Sequence, residues 1–371
     1  MPVYTLGHAS DPTRWSRHCV RFVDVGAGNA SQERFLEWLE HGPREGVVLP
    51  CNDDGLELVV DNREALEGLG YVLIEADDVV LRGMLNKHQT YELARTAGIP
   101  TPRTVTLRRE EDLATASREL GFPCALKSIY SHRFAERYGL TRKVLLARDE
   151  EQLRGAFAEL SALGISALAT EIVPGADDRH CSYYSYLDER GEPLLHLTKR
   201  KLRQYPPRFG IGCYHVTDWN PDVAELGLRF FQGVGVRGLA CVEFKRDPRD
   251  DGLKLIECNQ RLTAATELLT AAGMDLPLFT YNRLLGRPMP PVDSYRRGLH
   301  LWHPRADARA FLAYRRAGEL TLGRWVASLI GPRRFGTASA TDPLPALGTV
   351  AHRVAGRARR LGRPQPEGAR A

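Results

Sequence analysis

The stretch from residue 239 to 261, LACVEFKRDPRDDGLKLIECNQR, constrains this chain more than any other. Two apolar runs, 241–245 and 253–259, flank a cluster of Pro, Asp and Gly, the composition of a turn between paired strands. An antiparallel hairpin about that turn sets Glu243 opposite, or nearly opposite, Glu257. Side chains alternate faces along a strand, so Glu257, Asn259 and Arg261 project together from one face. Two carboxylates facing each other across a ladder repel. The pair is therefore either solvated on an exposed hairpin or bridged by a cation. Magnesium suits the second case, because it takes hard oxygen ligands and is commonly held by one or two carboxylates together with substrate phosphates.

The rest of the chain is long enough to bury a full core and to form two or three domains at 371 residues. With 43% hydrophobic and 26% charged residues it is not a disordered chain. No apolar run approaches the roughly 18–20 residues that span a bilayer. The opening MPVYTLGHAS lacks the basic start and apolar core of a signal peptide, so a cytoplasmic location and no membrane partner are expected. The seven cysteines (Cys19, Cys51, Cys124, Cys181, Cys213, Cys241, Cys258) are scattered and never spaced as CxxC, which argues against a disulfide framework and a zinc site. Much of the net charge of +5 comes from arginines beyond Val350. Such a tail is either a solvated, flexible end or a contact for an anionic surface or nucleic acid. No aromatic-studded platform accompanies it, so no nucleic-acid partner is expected.

Along the first 85 residues, strand-like runs at 21–25 and 46–49 enclose a helical pattern at 32–40, the rhythm of a parallel sheet with helices on its faces. Gly26-Ala27-Gly28 is only a partial dinucleotide fingerprint, with Ser31 at the third glycine position. Asp53 and Asp54 follow the second strand, where they either face a ligand or cap a helix. Lys87 falls in the first turn of a helix running to Ala97, where a cation gains nothing from the helix dipole and is either solvated or aimed at an anion. Lys127 sits near the end of a buried strand at 123–128. Residues 130–139 read as a polar loop rich in Arg and His before a strand at 143–147, which is either an exposed tip or a flap over phosphates. A strand at 167–173 ends at Pro174-Gly175, with Asp177 and Asp178 beyond it. The run LTKRKLRQYPPRFGIG then crowds Lys199, Arg200, Lys201, Arg203 and Arg208 ahead of a Pro/Gly loop, either solvated surface or a grip for an anion. Gly233 to Gly238 spells GxGxxG, but it follows a helix and precedes a strand, the wrong order for a dinucleotide site. Beyond residue 292 two helices are expected, carrying Trp302 and Trp325 on an apolar face.

A lysine at a helix start, a lysine on a strand and ECNQR after a hairpin, with GIPTP, TEIVPG and ELLTAAGMDLP between and after them, resemble the ATP-grasp superfamily from about residue 53 to 288. The resemblance is nearest to the branch of ATP-dependent carboxylate–amine ligases that includes D-aspartate ligase and carbamoyl-phosphate-synthase-like domains. It implies an α/β and α+β architecture: an ATP-grasp fold with an N-terminal Rossmann-like pre-grasp domain (1–85), an N-lobe (86–175), a C-lobe (176–290), a C-terminal helical extension (291–345) and a basic, flexible tail (346–371). It further implies ATP with Mg2+, for which Mn2+ can substitute. Lys87 and Lys127 would contact phosphates, and the Glu171 carbonyl and Val173 amide, flanking Ile172, would pair with the adenine edge. Asp178 would bind the ribose hydroxyls. Glu243, Glu257 and Asn259 would hold the metal, and Arg261 would stabilise the transferred phosphoryl group. Lys199, Arg203 and Arg208 are the candidates for gripping a carboxylate. The expected reaction activates a carboxylate as an acyl phosphate and forms an amide, releasing ADP and phosphate, with small carboxylates and amines as partners and a homodimer compatible with the resemblance. One departure stands out: the loop between the strands flanking 130–142 is SHRFAERYGLT, with a single glycine where relatives are glycine-rich. Arg133 and Arg137 would then replace a backbone cradle with side-chain charge.

Overall fold

The computed structural model describes residues 1–26, 30–139, 142–289, 292 and 294–361. The chain divides into two compact units, Met1–Pro43 with Thr337–Ala371, and Arg44–Gly336. The boundary expected at residue 85 thus falls inside the second unit.

In the first unit, β1 (Val3–Gly7) pairs in parallel with β2 (Cys19–Asp24), and a helix follows at Ala30–His41. Residues 27 and 28 of the partial glycine motif lie outside the described residues. The segment 346–371, expected to be flexible, is helical over Leu344–Leu361, and its last ten residues lie outside the described ones.

The second unit holds the remaining strands. The run at 46–49 does not become a strand. Hemmed between Pro43 and Pro50, it makes a single parallel bridge, Val47 with Val72. A four-stranded antiparallel sheet contains β3 (Thr104–Leu107), β4 (Cys124–Ser128), β5 (Leu145–Ala147) and β6 (Ala167–Glu171) in the order 3-6-4-5. Helices Glu111–Leu120 and Glu150–Ala162 cover it through Leu113, Leu120, Leu153 and Leu160. The helix carrying Lys87 spans Lys87–Thr96; the Asn86 side chain caps it by accepting from the Gln89 amide, and Gly98 closes it at φ 68°.

A seven-stranded sheet contains β7 (His180–Leu187), β8 (Pro193–Tyr205), β9 (Ile211–Asp218), β10 (Gly238–Arg246), β11 (Leu253–Asn259), β12 (His300–Trp302) and β13 (Arg333–Phe335) in the order 11-10-7-8-9-12-13. One face is apolar throughout its centre: Tyr183, Val242 and Phe244 pack with Phe230 and Phe231 of helix Pro221–Val234. The other face changes character along the strands. At one end Tyr184, Tyr186, Leu195 and Leu197 pack with Phe279. At the other, Glu243, His180, Ser182, Lys199, Lys201, His215 and Lys245 stand in neighbouring register positions. Burying this many charges is unfavourable unless they neutralise one another or serve a ligand.

The extension beyond residue 292 is not purely helical. Trp302 lies on β12, and the helices are Pro304–Arg316 and Leu322–Ser328. Both tryptophans point their indole N–H at Asp307, at 3.0 Å from Trp302 and 2.9 Å from Trp325. The fully buried Asp307 also takes two bonds from the Arg203 guanidinium, at 2.6 and 3.0 Å, which pins the helix to β8. Asp307→Ala would strand a buried guanidinium and should cost about 3–5 kcal/mol in urea-induced unfolding. A loss below about 1 kcal/mol, the range of an exposed pair, would contradict this pinning.

Candidate active site

The hairpin has the expected register: Glu243 pairs with Glu257 and Cys241 with Asn259. A bulge after Glu243 takes Ile256 out of the ladder, and the Tyr91 hydroxyl donates to its carbonyl at 2.9 Å. The solvated reading fails, because the Glu243 side chain is only 12% exposed. Its carboxylate lies 2.8 Å from Lys201 Nζ and 3.0 Å from His180 Nδ1. Burial pushes the Glu243 pKa up, but Lys201 and His180 outweigh it and hold the group well below the usual carboxylate range. Burial, and next the charge of Lys201, push His180 down, so the ammonium rather than the imidazole carries the neutralising charge. Lys201 is raised in turn: burial lowers it, and Glu243 more than compensates. Glu257 is held low chiefly by Lys143, against burial and the charge of Glu243.

Lys87 and Lys127 converge on the same place from separate elements. The Lys87 ammonium donates to Ser131 Oγ; its pKa is lowered by burial, partly offset by Glu257 and Asp53. Lys127, on β4, is pushed down to about 8 by burial and then by Lys87, with Glu257 opposing. The segment expected as a loop is instead a helix, Ser131–Tyr138. Glycine-free until Gly139, it buries Phe134 and packs that ring against Tyr138 at 4.4 Å, an i,i+4 pair. It docks through His132, 3.2 Å from Glu57, and Arg133, 3.7 Å from the same carboxylate. No side chain caps its start, which leaves its first amides available beside Lys87. Residues 140 and 141 of this segment lie outside the described ones.

Beside the lysines opens a cavity of about 620 Å³, within the usual range for a small-molecule site. Ala125, Lys127, Ile256 and Phe209 line it, together with the chain from Thr170 to Asp177, which includes Glu171, Ile172 and Val173. The Glu171 side chain is turned onto Arg103 (3.0 Å) and Arg249 (3.4 Å). Lys245 ties the following turn down by donating to the Val173 carbonyl at 2.8 Å and the Gly175 carbonyl at 3.0 Å. Asp178 is exposed and outside the lining. Its neighbour Asp177 does line the cavity, accepting from the Gln204 amide and the Arg208 backbone N–H, each at 2.8 Å.

The basic run divides. Lys199 is buried beside Ser182 Oγ (3.3 Å) and His215 Nδ1 (3.4 Å), on the charged end of the sheet. Arg208, at φ 73°, lies at the cavity rim and bonds Glu319 at 2.9 Å. Arg203 is not brought to the site: Asp307 holds it. Arg261, just past β11, is held by Asp53 at 2.6 Å, while Asn52 rather than Asp53 caps the helix there. Sequence reading did not single out Lys143 or His180, and named Lys201 only as one member of the basic run, not beside Glu243. Lys201 carried a signal, since it lies two residues from Lys199 on the same strand and so on the same face.

The donor set fits magnesium. Two ionised carboxylates and an amide oxygen stand on paired strands, all hard oxygen donors. Among the described residues no group of three or more His, Cys, Asp or Glu is placed to hold a metal, so substrate phosphates would have to complete the shell.

No family model matches the chain. D-aspartate ligase of Enterococcus faecium is 24% identical over 302 residues, covering 76% of this chain and 71% of that one. The C-terminal section of the carbamoyl phosphate synthase large chain of Methanopyrus kandleri is 23% identical over 210 residues, covering 54% of this chain and 37% of that protein. Among solved structures, biotin carboxylase of Campylobacter jejuni in a β,γ-ATP complex superposes with a TM-score of 0.60 at 16% identity, covering 79% of this chain and 66% of that one. An N5-carboxyaminoimidazole ribonucleotide synthetase in complex with ADP gives 0.57 at 13%, covering 78% and 71%. The two sheets and these likenesses show an ATP-grasp fold. Its sequence likeness runs to ATP-dependent ligases that form C–N bonds, among them D-aspartate ligase, and the solved neighbours include complexes with ADP and MgADP.

The low Lys127 pKa has a testable sign. The folded group loses its proton near 8 instead of 10.5, so above that pH a phosphate beside it meets a neutral amine. ADP affinity measured by calorimetry should fall several-fold from about pH 7 to 9 in the wild type, and Lys127→Gln should flatten the slope. Parallel slopes in the two proteins would contradict the placement.

Proposed function

We propose that the protein is an ATP- and magnesium-dependent ligase that activates a small carboxylate as an acyl phosphate and couples it to an amine. The observation that carries this reading is the half-buried Glu243–Glu257 pair, with Lys87, Lys127 and Lys143 near Glu257, next to the cavity walls at Ile256, His180 and Lys127. In this reading the adenine occupies the cavity, its edge on the Glu171 carbonyl and the Val173 amide. The clamp of Arg103 and Arg249 keeps the Glu171 side chain out of the way. The ribose end falls to the acidic turn at Asp177 and Asp178. Lys87, Lys127, Lys143 and the uncapped start of the helix at Ser131 hold the phosphates.

Glu243, Glu257 and Asn259 would hold magnesium, which when bound screens the charge of the phosphate oxygens. Burial raises the Glu243 carboxyl, but Lys201, 2.8 Å away, holds it well below the usual carboxylate range, which favours the ionised form for that role. Lys199, desolvated and without a carboxylate in direct contact among the described residues, seats the substrate carboxylate, with Arg208 at the rim. Arg203 has no part, since Asp307 engages it. The carboxylate oxygen attacks the γ-phosphorus as the bond to ADP breaks. Arg261, oriented by Asp53, faces the charge that develops on the transferred group. The amine nitrogen then attacks the acyl carbon, and the C–O bond breaks with phosphate leaving. No side-chain nucleophile enters, so positioning and charge supply the rate.

An ADP-release screen of small carboxylates, bicarbonate included, crossed with amines and with hydroxylamine, tests the proposal. A hydroxamate formed only with ATP, magnesium and the carboxylate is the expected signature of an acyl phosphate. ADP release with every carboxylate absent and no hydroxamate with any would contradict it. Glu257→Gln should lower ADP formation by roughly 100-fold or more while leaving the melting temperature unchanged. Wild-type turnover in that variant would remove Glu257 from the metal site.

A further inference from the structure

The helix Leu344–Leu361 of the first unit has no evident place in nucleotide chemistry, yet its surface is unusual. Leu344, Leu347, Val350 and Val354 are 52%, 61%, 60% and 63% exposed. Their spacing of three, three and four residues puts them on one side of the helix. The helix is seated by another side: Gly348 abuts the Trp15 ring, which leaves no room for a Cβ, and the His352 ring lies 6.1 Å from it. Packing against its own unit therefore uses the small and polar positions and turns the aliphatic ones out. Between Leu344 and Leu361 the sequence has four arginines (Arg353, Arg357, Arg359, Arg360) and no acid.

We propose that this helix lies on an anionic lipid surface, its aliphatic stripe in the headgroup–acyl boundary and the exposed Arg353, three residues past Val350, among the lipid phosphates. The pairing of the two features selects the occupant. A nucleic acid would engage the arginines but leave the stripe in water. A second copy of the helix would cover the stripe but offer no acid to the partner's arginines. An anionic bilayer satisfies both. At about 27 Å the helix is long enough to lie in the interface. No described helix is long and apolar enough to cross a membrane, so the contact is peripheral.

Full-length protein should sediment with phosphatidylcholine vesicles containing about 30% phosphatidylglycerol, and at least ~10-fold more weakly with pure phosphatidylcholine or in high salt. Leu347→Glu with Val354→Glu should abolish the binding, and Arg353→Glu should weaken it several-fold. All three positions are exposed, so circular-dichroism melts should match the wild type. Equal binding to neutral and anionic vesicles, no binding to either, or binding that survives the double substitution would overturn the proposal. So would a wild-type dimer that the double substitution splits, which would assign the stripe to a second copy. None of these outcomes depends on ligase activity.

Discussion

The structure turns on an ion pair placed where two carboxylates would otherwise repel. Glu243 and Glu257 face each other in a hairpin whose surroundings are largely desolvated, and a buried carboxylate without a partner would take up a proton. Lys201 prevents this. Its ammonium, 2.8 Å from Glu243, raises its own pKa and lowers that of its partner, so both groups stay charged. The Glu243–Glu257 pair thus stays anionic, with Lys201 beside one carboxylate and the charge of Lys143 acting on the other.

The same logic explains the cations around it. Lys87 arrives on a helix, Lys127 on one sheet, Lys199 and Lys201 on the other. Burial depresses each of these ammonium groups, and only in Lys201 does a carboxylate more than compensate; the others mark sites that would gain from an incoming anion. The seven-stranded sheet packs the helix Pro221–Val234 on one face and gathers its charge at one end of the other, on β7, β8, β9 and β10. Arg203 shows the boundary of that division: two residues beyond Lys201, after a bulge in β8, it belongs to the structural network of Asp307.

Much of this was legible in the residues. The hairpin register followed from strand alternation and turn composition, because a one-residue slip would have moved every side chain to the other face. The helix at Lys87 followed from its cap and closing glycine. Other features were hidden for physical reasons. The helix at Ser131 reads as a loop because seven of its eight residues are polar or aromatic, and only the spacing of Phe134 and Tyr138 signals its packing. β12 and β13 have three residues each, too few for a period. The fate of Arg203 depends on Asp307, 104 residues away, a pairing no local pattern contains. Asp177 and Asp178 differ by one residue, and only the turn geometry decides which of them enters the cavity lining.

The most direct test of the acidic pair is calorimetric titration with a non-hydrolysable ATP analogue, in magnesium and in chelator, for the wild type and Glu257→Gln. Magnesium should tighten binding to the wild type by about tenfold or more, and the variant should lose most of that gain while still binding the analogue in chelator. Equal affinity with and without magnesium in the wild type would contradict the claim that Glu243 and Glu257 are kept ionised to hold a metal.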